Sequence, residues 1–224
     1  MTRRGNAHNR CRDCRLHLSL CLCARVPQLE THTRVVLVIH RYEARKPTNT
    51  GRLAARCLAG SEVHVRGAID RPSEPIAIEP GREPVVLFPH ADARPLEEFA
   101  GRALTLIVPD GTWRQAARVR SRVPGLAGVP AARLPAGPST RYTLRSESHA
   151  DGLATIEAVA RALGILEGPE IQVAIETVFE TLVERTRWSR GELHASEVRT
   201  GLPEGARRHD PRSATGRSEN RDPQ

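Results

Sequence analysis

Three short segments carry runs of consecutive apolar residues instead of apolar residues at every second position: RVVLVIH at 34–40, EPVVLFP at 83–89 and LTLIVPD at 104–110. A strand that is apolar on both faces must be covered on both, which is the signature of a largely parallel sheet between layers of helix. Parallel neighbours need crossover connections, and the intervening sequence supplies them. TGRLAARCLAG at 50–60 reads as a short helix, EVHVRG at 62–67 as an alternating strand, and PLEEFAG at 95–101 as a short helix ended by Gly101. A further helix is predicted from about 112 to 123.

The back half reads as helical packing. Ile156, Val159, Ala160 and Leu163 follow the i, i+3, i+4, i+7 spacing, and Ile171, Ala174, Ile175, Val178, Phe179, Leu182 and Val183 continue such a stripe over three more turns. Beyond about residue 200 almost nothing is apolar, so 200–224 is expected to be a disordered tail, and 1–10 is expected to be disordered too. The 224 residues suit one α/β domain, 32–190, with a cysteine-rich knuckle at 11–31. No apolar stretch approaches the roughly 20 residues that span a bilayer, and no signal-peptide core follows the N-terminal arginines. The expectation is a cytoplasmic protein with no membrane partner.

The charge is unevenly placed. The net charge is +8 with Lys46 the single lysine, and residues 112–146 hold seven arginines and no acid. Such concentrated positive charge points to an anionic partner, with a nucleic acid as the leading class. At 100° per residue, Trp113, Ala116, Val119 and Val123 share one side of the predicted helix, while Arg114, Arg118 and Arg122 share another. The second side is a plausible ridge for RNA phosphates.

Four of the five cysteines fall within CRDCRLHLSLCLC as Cys11, Cys14, Cys21 and Cys23. Two close pairs of thiolates suit one tetrahedral zinc ion, and a reducing compartment argues against disulfides. A four-thiolate site leaves no open coordination position, so the metal's role would be structural. His17 is a weaker ligand candidate, and Cys57 reads as a core residue.

Ligands of parallel sheets bind beyond the C-terminal strand ends. The first such loop, HRYEARKPTNTG, carries His40, Glu43 and the helix-capping candidates Thr48 and Asn49. The second is FPHAD, and the third is PDGTW at 109–113. There Asp110 either caps the next helix or faces the ligand crevice, Thr112 is a second capping candidate, and Trp113 either anchors the core or stacks on a base. The loop LPAGPSTRYTLRSES, 134–148, can wrap a small molecule with backbone groups while Arg141 or Arg145 pairs with a carboxylate or phosphate.

Asp110-x-Thr112-Trp113, the cysteine cluster, TNTGRL, FP, PSTRYTLR and TIEA occur here in one order. In that order the chain resembles the DTW-domain family of tRNA-uridine aminocarboxypropyltransferases, relatives of the SPOUT RNA methyltransferases. Ile156 stands where leucine is usual. The resemblance implies a knotted, SPOUT-like α/β fold, and a sheet of this kind could not reveal the knot by periodicity. It implies transfer of the 3-amino-3-carboxypropyl group from S-adenosylmethionine to N3 of a tRNA uridine, in the variable loop, with release of methylthioadenosine. The catalytic candidates are then Asp110, Thr112 and Trp113. Phe88, Pro89, Asp110, Leu134, Ser139, Tyr142 and Arg145 are the candidates for binding the donor, and Arg114, Arg118, Arg122 and Arg141 those for binding RNA. Asp110 is open to a role as base or as positioning group. A SPOUT-type methyltransferase and a non-enzymatic zinc-bearing RNA-binding protein are the alternatives, and monomer and homodimer are equally open.

Overall fold

The three apolar segments lie side by side at the centre of one sheet. The computed structural model describes residues 9–68, 72–142, 144 and 152–208. Its strands are β1 (Arg34–His40), β2 (Glu62–Arg66), β3 (Glu83–Leu87), β4 (Arg94–Pro95), β5 (Leu104–Asp110) and β6 (Ala131–Arg133). They form one sheet in the order β2-β1-β5-β3-β6-β4, and every adjacent pair is parallel. The register sets Val36 and Val86 beside Ile107, and Ile39 beside Asp110.

Alternation along the strands sorts their side chains into two apolar layers. Val36, Val38, Val86 and Ile107 pack on one face with Ile76, Val119, Val123, Leu126 and Val129. On the other face lie α2 (Gly51–Arg56), packed on β1, and α5 (Thr155–Leu166), packed on β5 and on α2. Glu167, the C-cap of α5, accepts the backbone N–H groups of His32 and Thr33 at 2.9 and 2.7 Å and so ties that helix to the entry of β1.

Several elements differ from their sequence expectation. The helix expected at 112–123 is two helices, α3 (Trp113–Ala117) and α4 (Val119–Arg122), because Arg118 between them opens to ψ −2°. Residues 95–101 keep only a 3-10 turn at Leu96–Phe99, with Gly101 turning the chain at φ +77°. The loop after β1 contains a helical turn, α1 (Arg41–Ala44), whose first N–H groups include one bonded to His40 Nδ1 at 3.4 Å. β4 and β6 are too short for either periodicity to register.

The chain divides into two units, residues 25–179 and residues 1–24 with 180–224. α6 (Pro169–Ser189) contributes residues to each. In the second unit the start of the expected tail carries defined contacts. Thr200 bonds Glu184 through its N–H at 2.8 Å and its hydroxyl at 2.7 Å, and Arg208 lies 5.6 Å over the Trp188 ring. Likewise Arg10 pairs with His17 in an antiparallel bridge, while residues 1–8 and 209–224 lie outside the described residues. Among the described residues no helix is long and apolar enough to cross a membrane.

Ile107 is fully buried at the centre of the sheet. Ile107→Ala is expected to cost about 2–5 kcal/mol of unfolding free energy, read from the urea midpoint at constant m-value.

Candidate active site

A cavity of about 980 Å³ opens where β1, β3, β5 and β6 end. The strand termini deliver its floor: Leu87, Phe88 and Pro89 from the end of β3, Val108 to Trp113 from the end of β5, and Ala132 to Ser139 from the end of β6. Thr48, Asn49 and Thr50 close one side, and Leu153, Ala154 and Thr155 at the start of α5 close the other. Phe88, Pro89, Asp110, Thr112, Trp113, Leu134, Ser139 and Tyr142 thus all line one cavity, although they come from three separate stretches. Arg145 lies outside the described residues.

Asp110 is 8% exposed and is not a helix cap. The cap of α3 is Thr112, whose hydroxyl accepts Gln115 N–H at 3.4 Å while Gln115 Oε1 accepts Thr112 N–H at 2.9 Å, a reciprocal capping box. The Asp110 carboxylate serves no cap and lines the cavity instead. Asn49 Nδ2 donates to its Oδ2 at 2.5 Å, and the Thr155 hydroxyl donates to its Oδ1 at 2.9 Å. The N-cap position of α2 is Thr50, not Thr48 or Asn49, but Asn49 still bonds the first turn of that helix, its Oδ1 accepting Arg52 N–H at 3.1 Å.

Trp113 packs edge-on against Phe88, with ring centroids 5.4 Å apart, which makes it a wall of the cavity and joins two strand-end loops. Tyr142 reaches across with its hydroxyl donating to Thr48 O at 2.7 Å, and its ring lies 5.7 Å from Phe179. Beneath the 134–141 loop sits Glu157, 4% exposed. Its carboxylate accepts the Thr140 hydroxyl, Arg141 N–H at 2.8 Å and Ala154 N–H at 2.9 Å. Arg161 adds a bond from its guanidinium to Pro138 O at 2.6 Å. The TIEA stretch is therefore what shapes this loop, a function that sequence reading did not assign to Glu157.

Lys46, Arg133 and Arg161, not named as site candidates from the sequence, bring positive charge to the cavity, and Glu43 of the first strand-end loop brings a buried carboxylate, bonded by Lys46 Nζ at 2.5 Å. His40 ends β1 beside Gly111. Burial, reinforced by Arg66 and Arg41, holds its imidazole below the usual value, which favours the neutral ring.

The arginine ridge divides as expected. Arg114, Arg118 and Arg122 are exposed, whereas Ala116, Val119 and Val123 are buried. These three arginines and Arg141 stand outside the cavity lining. Arg66 donates to Gln115 O and lies close enough to Arg122 for the two charges to interact, so the basic surface extends to the end of β2.

In the other unit, Cys11, Cys14, Cys21 and Cys23 converge with all four sulfurs within 4.8 Å of one another. The Cys11–Cys23 and Cys14–Cys21 sulfur separations are 3.5 and 3.8 Å. Four sulfurs about 2.3 Å from one zinc ion would be about 3.8 Å apart, so this set fits the ion. Burial pushes the Cys14 thiol up to about 11. For Cys11 burial acts the same way but is outweighed by the backbone N–H groups of Cys14 and Asp13 and by Cys23 and Cys21, bringing it down to about 7. Arg185, 3% exposed, donates to Cys21 O at 2.6 Å and Leu20 O at 3.2 Å, placing a buried cation behind the cluster. His17 is not one of the four converging groups. Cys57 is a core residue, fully buried and bonded to Leu53 O at 3.3 Å, its thiol pushed up to about 12 by burial.

Fold and site together define a parallel α/β protein with a cavity of mixed apolar and polar lining at the C-terminal strand ends. Residues 8–187 match the DTW domain, and the chain belongs to that family. Among its relatives, tRNA-uridine aminocarboxypropyltransferase 2 of Drosophila melanogaster is 26% identical over 187 residues, covering 79% of this chain and 74% of that protein. The Macaca fascicularis protein of the same name is 29% identical over 70% of this chain, which spans 56% of the macaque protein's length. tRNA-uridine aminocarboxypropyltransferase A of Arabidopsis thaliana is 27% identical, covering 80% of this chain and 82% of that protein. The solved SAM-dependent rRNA:acp-transferase Tsr3 from Vulcanisaeta distributa aligns with a TM-score of 0.41 at 21% identity, over 65% of this chain and 72% of that one.

The capping box makes its own prediction. Thr112→Ala is expected to lower stability by about 1 kcal/mol and Thr112→Ser to lower it far less, as measured by urea unfolding.

Proposed function

We propose that this chain transfers the 3-amino-3-carboxypropyl group of S-adenosylmethionine to N3 of a tRNA uridine, releasing methylthioadenosine. The observation that carries the reading is Asp110, a buried carboxylate on the floor of the strand-end cavity, within a DTW domain. The names of the fly, macaque and plant relatives support the substrate and the group transferred. The SPOUT-like knot and the variable-loop target belong to this proposal as implications of the family resemblance.

The lining suits such a donor. Leu87, Phe88, Val108 and Leu134 offer apolar surface for a nucleoside, Asp110 and Glu43 offer carboxylates for an ammonium, and Arg133 and Arg161 offer guanidinium groups for a carboxylate. Ser139, Tyr142 and Pro89 complete the cradle, Arg145 is a further carboxylate partner by the family resemblance, and Arg141, outside the lining, joins the RNA contacts. When bound, the donor supplies an electrophilic carbon and a thioether leaving group. Asp110 accepts the N3–H of the uracil, orienting the nitrogen or taking its proton. Thr112 fixes the turn on which Asp110 stands, and Trp113 buttresses it through Phe88. The exposed Arg114, Arg118 and Arg122 hold phosphates of the RNA. Cys11, Cys14, Cys21 and Cys23 bind a structural zinc ion, in keeping with a reducing cytoplasm.

Incubation with tRNA and carboxyl-labelled S-adenosylmethionine should label the RNA, and transfer of methyl label alone would reject the proposal in favour of a methyltransferase. Charge neutralisation at Arg114 and Arg118 together should flatten the salt dependence of tRNA binding by a slope of about 1–2 on a log–log plot. Elemental analysis should find about one zinc per chain, and chelation should lower the melting temperature. Because the raised Cys14 thiol must lose its proton to bind, zinc affinity should fall as pH falls.

A further inference from the structure

Asp110 is set by three residues that do not themselves belong to the D-x-T-W motif. Asn49 holds Oδ2 at 2.5 Å and Thr155 holds Oδ1 at 2.9 Å. The Asn49 amide cannot turn over freely, because its own oxygen accepts Arg52 N–H at 3.1 Å, which leaves Nδ2 to face Asp110. Thr155 opens α5, so the second donor is carried by a helix packed on β5 itself. The third residue contributes by what it lacks. A Cβ on Gly51 would fall well inside van der Waals contact of Asp110 Oδ2 and 3.1 Å from Cγ. Gly51 is the first residue of α2 and its φ is not in the left-handed region, so its backbone has no need of glycine. Space for the Asp110 carboxylate is the requirement that remains.

We propose that Asn49, Thr155 and Gly51 are positioning residues of the active site, acting through Asp110. Asn49 and Thr155 each donate to one of its two oxygens, holding them as hydrogen-bond acceptors, and the absent methyl group leaves the clearance that orientation needs on the α2 side. A carboxylate so held presents a fixed negative charge to the cavity, without reorganising when the uracil N3–H or the cationic donor arrives. The proposal rests on the transferase reading above, with Asp110 at the reacting centre.

The variants separate a positioning role from a structural one. Alanine favours a helix over glycine, which offsets part of the cost of displacing a bonded carboxylate, so Gly51→Ala should fold with a modestly lowered melting temperature while the new methyl group swings Asp110 away. Asn49→Asp keeps the acceptor for Arg52 N–H but turns the donor into a second carboxylate. Thr155→Val keeps the shape and removes the hydroxyl, and Thr155→Ser keeps the hydroxyl. With full-length protein, tRNA and carboxyl-labelled S-adenosylmethionine, Gly51→Ala, Asn49→Asp and Thr155→Val should each lose ~100-fold in kcat, while Thr155→Ser stays within ~3-fold of wild type. Folded Gly51→Ala and Thr155→Val proteins with wild-type kcat would overturn the proposal. So would a Thr155→Ser protein as slow as Thr155→Val, since packing would then explain both. If the wild-type protein transfers no label, the functional reading fails. Positioning is then judged by crystal structures of wild type and Gly51→Ala: a displaced Asp110 in the variant supports it, and an unmoved one refutes it.

Discussion

The parallel pairing of β1 with β5 is the constraint on which the rest of this structure depends. Register places Ile39 beside Asp110, so both strands end together and their loops enter the same space. Because the strands are parallel, neither loop can turn back as a hairpin, and both must leave over the edge of the sheet before a helix returns the chain. α2, which returns the chain from β1, and α5, which follows β6, pack on one face, and Asn49 just ahead of α2 and Thr155 at the start of α5 each bring a donor to the Asp110 carboxylate. The helices that cover the core are thus the same ones that build the site.

A second constraint is the burial of polar groups around that site. Asp110, Asn49, Thr50, Glu43 and Glu157 are all buried, which is costly unless each is bonded. Glu157 meets this cost with three donors, from Thr140, Arg141 and Ala154, so one side chain ties together two irregular stretches. The same logic applies to Arg185, whose buried guanidinium is spent on carbonyls behind the cysteine cluster. In both places a buried charge organises irregular backbone that apolar packing could not specify.

Much of the architecture was legible because it depends on local pattern. The doubly apolar runs at 34–40 and 104–110 matched β1 and β5 to the residue, and the stripe through Ile156 to Leu163 marked α5. The two faces of 113–123 were also readable, since 100° periodicity survives the break at Arg118. β6 was not, because three residues carry too little pattern, and the turn at 41–44 is held by a His40 cap that no propensity announces. Of the site, Asp110, Thr112, Trp113, Phe88 and Tyr142 could be named from strand-end position and motif. Asn49 was visible only as a capping candidate, and Thr155 and Glu157 only as the first turn of a helix.

By itself the sequence determined the central strands and α5, the parallel class of the sheet, the four-thiolate cluster and the basic stretch downstream of Asp110, because each is set by residues near one another in the chain. Tertiary structure alone decided what Asp110 does not do and what it is held by. Thr112 takes the cap, and donors 61 and 45 residues away take the two carboxylate oxygens. Such partners are chosen by register and helix packing, which are long-range quantities that no local spacing encodes.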